Sequence, residues 1–262
     1  MVGLIASTSA LVAGRCHANA MTTRRIFTWS FVFSIAASAA FAQCPPPPKT
    51  ATQQTIERIV DGDTVVLVGG DRVRILGFNT FERKDPGQRG TYAQAASGYV
   101  TTHALGQLAT LSPFPYRRDR HGRILAHVWV EGQHLAESVL KQGLGFAVAV
   151  PPLTEHAACL SAAEKEARRA RRGLWKEALA PMPAASLTRG GFAVVEGTVT
   201  RVDQQTVWLG PQFAVTLPQD LFVEMGARIE VRGWIRSPKS TDRPPIFRLP
   251  LGHPANLQRL SP

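Results

Sequence analysis

The sequence predicts an α+β, mainly β chain of 262 residues, organised as a small β-barrel with three helices followed by a second, smaller barrel-like β domain. Three observations carry this prediction. Short runs rich in β-branched and aliphatic residues recur from Ile56 and again from Val194, all helical spacing lies between Tyr92 and Arg172, and a Pro/Ala-rich stretch separates the two strand-rich regions. An apolar fraction of 44% with 19% charged residues is ordinary for a globular chain, and the length leaves room for two domains of about 100–150 residues.

Residues 1–42 read differently from the rest. From Met21 a basic head (Arg24, Arg25) precedes an apolar stretch from Ile26 to Phe41 and the small-residue site Ala40-Phe41-Ala42. This is the order of a secretory signal peptide cleaved after Ala42, with residues 1–20 as an overlong start and Met21 as the true one. A membrane anchor is the alternative, but the apolar run is short for a span of about 20 residues. Thr23-Arg24-Arg25-Ile26-Phe27 also resembles a twin-arginine export signal. The expected location is therefore periplasmic or secreted, with no stable membrane insertion after cleavage.

The remaining chain divides into a Pro-rich spacer (43–54), a first domain (55–177), a linker (178–189) and a β-rich domain (190–262). Strands are expected over Ile56–Val60, Thr64–Val68 and Arg72–Leu76, with Gly69-Gly70 as a hairpin turn. Two more, Leu111–Arg117 and Ile124–Val130, are joined by the turn from Arg118 to Gly122. Helices are expected over Tyr92–Leu108, Leu135–Gln142 and Thr154–Arg172, the last two stopping at Gly143 and Gly173. Arg168, Arg169, Arg171 and Arg172 complement the C-terminal end of the third helix dipole, though they are also placed to touch nucleic acid. In the second domain Val194–Val202, Thr206–Leu209, Phe213–Leu217, Ile229–Ile235 and Ile246–Leu251 are five candidate strands, enough for another small OB-like barrel.

Loss of residues 1–42 removes three arginines and no acid, taking the formal charge from +11 to +8. A basic surplus favours polyanions through counterion release, and it equally suits a solvated surface. Cys44 and Cys159 have no metal-clip spacing; in an oxidising compartment they could pair, or they remain two unrelated thiols. His103, His127, His134 and His156 form no spacing of a metal or triad set. A serine-nucleophile motif and a phosphate-cradling glycine loop are both missing from the sequence.

Phosphodiester cleavage needs an aimed water and neutralised phosphoryl oxygens. The parts are present in Asp61-Gly62-Asp63-Thr64, Arg74, Asn79-Thr80-Phe81-Glu82 and Arg123. Each alone reads equally well as a turn, a surface acid or a salt-bridge partner. Together, Val60-Asp61-Gly62-Asp63-Thr64, the spacing from Arg74 to Glu82, Asp119-x-x-Gly122-Arg123, Gln142-Gly143-Leu144 and Gly173-Leu174-Trp175 occur in the order of the staphylococcal nuclease (thermonuclease) family, which the first domain resembles over roughly 120 residues.

The resemblance implies a five-stranded OB-fold barrel and a calcium-dependent hydrolase, an exported monomer cutting DNA, and RNA in addition, with low sequence specificity. It implies that Asp63, Asn79 and Thr80 ligate Ca2+, Thr80 through its carbonyl, with Asp61 nearby. Glu82 would act on the attacking water, and Arg74 and Arg123 would clamp the phosphate and stabilise the transition state. A catalytically weak binding module that keeps the barrel is the rival reading. Three departures favour it: Asn79 replaces a second aspartate, Phe81 replaces a proline, and Ala149-Val150-Pro151 stands where the family has two tyrosines. His121 is expected to stack on a base or sugar.

Overall fold

The structure, a computed structural model, describes residues 43–242 and 244–261; the expected leader of residues 1–42, with Met21, lies outside them. The first barrel is built from β1 (Thr52–Asp61), β2 (Thr64–Leu67), β3 (Arg72–Ile75), β5 (Leu108–Arg118) and β6 (Ile124–Val130). Short strands β4 (Phe78–Asn79), β7 (Gln133–His134) and β8 (Phe146–Ala147) accompany it, with helices α1 (Gln88–Ala104), α2 (Leu135–Lys141) and α3 (Ala157–Arg169). Strand order is β3-β2-β1-β5-β6-β7, and parallel pairing of β3 with β6 closes the five-stranded ring. Closure leaves no long free edge. Ile56, Val65, Ile75, Phe78, Val100, Val128 and Leu140 fill the interior.

The helices shift against their sequence-based bounds for local reasons. α1 spans Gln88–Ala104 rather than Tyr92–Leu108: its first turn, Gln88-Arg89-Gly90-Thr91, carries no apolar side chain for the periodic pattern to register, and Leu105 turns extended. α3 ends at Arg169 because Arg171 (φ 49°) and Gly173 (φ 54°) take the chain left-handed. Gly173 also meets Gly143: a Cβ on Gly173 would lie 2.3 Å from the Gly143 carbonyl oxygen, and one on Gly143 would lie 2.2 Å from that of Arg172. The two helix-ending motifs are thus halves of one backbone contact, which the Leu174 N–H closes by donating to Gly143 O at 2.9 Å.

The C-terminal region forms two four-stranded sheets around its own core. One is ordered β16 (Leu257–Arg259), β14 (Arg228–Ile235), β10 (Gly191–Thr198), β9 (Met182–Pro183), and the other β11 (Arg201–Asp203), β12 (Thr206–Trp208), β13 (Phe213–Thr216), β15 (Phe247–Pro250). β10 runs on into β11, and a bridge between Arg236 and Arg248 links β14 to β15. The result repeats the ring order of the first barrel, including one parallel pair, β13 with β15. Val195, Val207, Phe213, Val215, Ile229 and Leu249 form its interior. The expected linker adds the edge strand β9 and buries Leu187 in this core.

Buried polar contacts hold the two barrels together, and the described residues from Gln43 fall in one compact unit. Glu164 and Arg168 of α3 meet Glu230 and Arg232 of β14. Arg168 donates to both Glu230 oxygens at 2.7 Å, and Arg232 donates to Glu164 Oε2 at 2.6 Å and to the Ala147 carbonyl at 3.0 Å. Burial alone would raise the Glu230 pKa, but the hydrogen bonds and charges of Arg168 and Arg232 lower it. Asn256 exchanges two hydrogen bonds with the backbone of Ala149. Arg168, from the basic end of the third helix, is therefore an interface residue, while Arg172 pairs with Glu166 and the Lys141 carbonyl.

The expected spacer is anchored as well. Cys44 forms a disulfide with Cys159 across 115 residues, its N–H donates to Glu137 Oε2, and Trp129 Nε1 donates to Pro45 O. Around this corner His127, His134 and His156, scattered in sequence, pack with ring centroids 4.3–5.1 Å apart. His134 Nδ1 accepts the Glu137 N–H at the start of α2, which puts the neutral ring's proton on Nε2, 3.1 Å from His127 Nδ1. Burial, then neighbouring imidazoles, depresses His127 to about 3 and His134 to about 2.

Two predictions concern stability. Cys44→Ser lowers stability by about 2–5 kcal/mol in denaturant titration, the usual range for a disulfide closing a long loop. The buried histidines titrate below their unfolded value, so their contribution is present above about pH 6.5 and is lost as pH falls toward their folded values, by up to about 1.4 kcal/mol per pH unit for each group. Denaturant midpoints measured between pH 7 and pH 4 should fall, and fall less steeply in a His127→Gln variant.

Candidate active site

The site lies where the β1–β2 turn, β3, the segment after β4 and the start of β6 converge. The turn is tight because Gly62 sits against α1: a Cβ there would come within 2.7 Å of Ala96 Cβ and 2.9 Å of Thr80 Cγ2. Asp63 N–H donates to Asp61 Oδ1 at 3.1 Å, which fixes the turn and sends the Asp63 side chain inward. The Asp63 carboxylate is 7% exposed, with Oδ2 3.0 Å from Arg74 Nη2 and Oδ1 accepting the Thr64 hydroxyl at 3.0 Å.

Thr64 connects the two arginines. Its Oγ1 accepts from Arg123 Nη1 at 3.1 Å while donating to Asp63, so one hydrogen-bonded chain runs Arg123–Thr64–Asp63–Arg74. Each guanidinium is aimed by further partners. Arg74 donates to the carbonyls of Ile75 and Phe78, and Asp119 Oδ2 holds Arg123 Nε and Nη2 at 2.8 Å. Burial would raise the Asp119 pKa, but hydrogen bonds from Arg123 and the backbone hold it below the usual range, so it remains a charged support. The role of Thr64 is invisible in sequence, where it reads only as the first residue of a strand.

Beside this chain a recess of about 230 Å³ is lined by Asp61, Asp63, Thr80, Phe81, Glu82 and their neighbours. Asp61, Asp63, Thr80 and Glu82 bring oxygens to it, the donor set of a hard cation, while Arg83 and Lys84 add positive charge to the same lining. Burial, opposed by Arg74 and reinforced by Asp61, pushes the Asp63 carboxyl up to about 6. One guanidinium does not fully offset the confined negative charge, and a cation in the recess would. Asn79 does not join the wall of the recess: its Oδ1 accepts from Arg74 Nη2 at 2.9 Å and its Nδ2 donates to Thr80 O at 2.9 Å. Asp63, Thr80 and Glu82 are thus brought together, while Asn79 orients Arg74.

Glu82 is exposed at the mouth of the recess, its N–H donating to Asp85 Oδ2. Without a proline to fix its loop, the anchor is Phe81, which packs edge-on to Phe146 at 5.0 Å under the Arg89 guanidinium. On the other side Arg74 and Arg123 border a second cavity of about 250 Å³ whose wall includes Val150 and Pro151 from the segment lacking tyrosines. His121 is exposed, bonded to Arg120, and stands off this wall.

Comparison with known proteins identifies the family. The sequence model of the family described as Staphylococcal nuclease homologue matches residues 72–177. The chain is 31% identical to a thermonuclease of Staphylococcus intermedius over 125 residues, 46% of this chain and 74% of that protein. It is 28% identical to a thermonuclease of Staphylococcus hyicus over 131 residues, covering 48% and 78%. It is 33% identical to endonuclease YncB of Bacillus subtilis (strain 168) over 135 residues, covering 49% and 64%. With these relatives and the closed five-stranded barrel, the chain belongs to the staphylococcal nuclease homologue family.

Proposed function

We propose that this chain is an exported, calcium-assisted nuclease that hydrolyses phosphodiester bonds of DNA, and of RNA as well, with low sequence specificity. One observation carries the reading: the Arg123–Thr64–Asp63–Arg74 chain, which sets two fixed guanidiniums beside a recess lined by Asp61, Asp63 and Thr80 with Glu82 at its mouth. The nuclease names of the relatives support the reaction class. The Cys44–Cys159 disulfide suits an oxidising compartment and supports export.

In this reading Asp63 and the Thr80 carbonyl hold the ion, with Asp61 adding negative charge. When bound, calcium would neutralise phosphoryl charge and favour an oriented water. Arg74 and Arg123 present planar forks to the phosphoryl oxygens, where charge develops in the transition state. Glu82 takes the proton of the attacking water. The water oxygen bonds to phosphorus, the bond to the 5′ oxygen breaks with its electron pair leaving on that oxygen, which takes a proton from solvent to become a 5′-hydroxyl, and the strand upstream keeps a 3′-phosphate.

Cleavage of single- and double-stranded DNA should require calcium and stop with chelator, and Glu82→Gln should lower kcat by about 10²–10⁴, the usual worth of a general base. A folded protein that cuts nothing at high calcium would favour the binding-module reading. Asn79→Asp should tighten calcium binding several-fold in a direct titration, because it adds a negative charge next to the recess while keeping an acceptor for Arg74.

A further inference from the structure

We propose that the second barrel completes the substrate cleft: Trp234 forms a base subsite, stacking on a nucleobase of the strand whose phosphate Arg74 and Arg123 hold. The proposal rests on the nuclease reading and extends it to a domain that the family match at residues 72–177 does not include.

The cavity bordered by Arg74 and Arg123 is also lined by Pro151, Pro152 and Trp234. Its lining therefore combines cationic forks with an aromatic face and apolar rings, the pairing that a nucleotide's phosphate and base require. Trp234 is 47% exposed, whereas Ile229 to Gly233 and Ile235 on the same strand are buried. Its exposed part lies in the lining of the cavity that Arg74 and Arg123 border, so the ring is open to a ligand there.

The placement follows from strand periodicity. Glu230, Arg232 and Trp234 are alternate residues of β14 and share one face, which is turned toward the first barrel. The first two lock onto Glu164 and Arg168, so the third is carried to the cleft on a rigid strand rather than a loop. Behind it, aromatic contacts continue edge-on to Phe192 at 5.2 Å, on to Phe146 at 5.8 Å, and from Phe146 to Phe81 at 5.0 Å, next to Glu82. The indole thus has a fixed backing tied to the loop that aims Glu82. Trp234 also supplies the aromatic surface that the segment Ala149-Val150-Pro151 does not.

The test is equilibrium binding by the full chain, in calcium buffer, of thymidine 3′,5′-bisphosphate and of its abasic deoxyribose counterpart. Trp234→Ala should weaken the thymidine compound about ten-fold and leave the abasic one within about two-fold, as loss of a single stacking contact requires. Trp234→Phe, which keeps a ring against Phe192, should retain most of the affinity. Quenching of tryptophan fluorescence by the thymidine compound should be largely lost in the Phe variant. Equal binding by wild type and Trp234→Ala would overturn the subsite, as would equal loss of both ligands that Phe does not rescue. Arg123→Ala should weaken both ligands; if it weakens neither, the phosphate clamp and the nuclease reading fail, and the subsite fails with them.

Discussion

A carboxylate held away from water, linked to two guanidiniums and lining a recess with Asp61, Thr80 and Glu82, sets the rest of this structure. Asp63 cannot be buried without compensation, because removing an ionised group from water costs several kcal/mol unless it is paired and hydrogen-bonded. Arg74 and the Thr64 hydroxyl supply part of that compensation, while burial and the neighbouring Asp61 hold the carboxyl up at about 6. In the proposed nuclease reading, a bound cation would supply the rest. Thr64 donates to Asp63 and accepts from Arg123, so the support of the carboxylate also places the second guanidinium.

The surrounding fold protects this arrangement. Gly62 lets the turn press on α1 and Thr80, and the closed ring keeps β2, β3 and β6 in register so that Thr64, Arg74 and Arg123 meet. The second barrel is joined by a buried set of two acids and two arginines, an arrangement chosen more for orientation than for strength, since apolar packing of the same volume is often at least as stable. Orientation matters because β14 carries Trp234 to the cleft on the face that makes those ion pairs.

Much of the fold was legible in the sequence because its signals are local. Strand runs such as Thr64–Leu67 and Phe213–Thr216, and helix stops at Gly143 and Gly173, are readable from neighbours alone. The short strands β4, β7, β8, β9 and β16 were not, since two- and three-residue pairings depend on partners distant in sequence. The same limit separates the parts of the site. Asp63, Arg74, Glu82 and Arg123 could be picked out through ordered motifs, whereas the Thr64 bridge, the turning of Asn79 toward Arg74 and the gathering of His127, His134 and His156 exist only after folding. Phe81 looked like the loss of a fixed backbone angle, and the chain replaces that constraint with aromatic packing on Phe146.

The most direct measurement is calorimetry of calcium binding near pH 6 and near pH 8, in buffers of different ionisation enthalpy, which counts the protons released. If Asp63 holds the ion and titrates at about 6, binding releases about half a proton per calcium near pH 6, none near pH 8, and weakens as pH falls. Calcium uptake with no proton release and no pH dependence, or no uptake at all, would contradict the placing of Asp63 at the centre of the site.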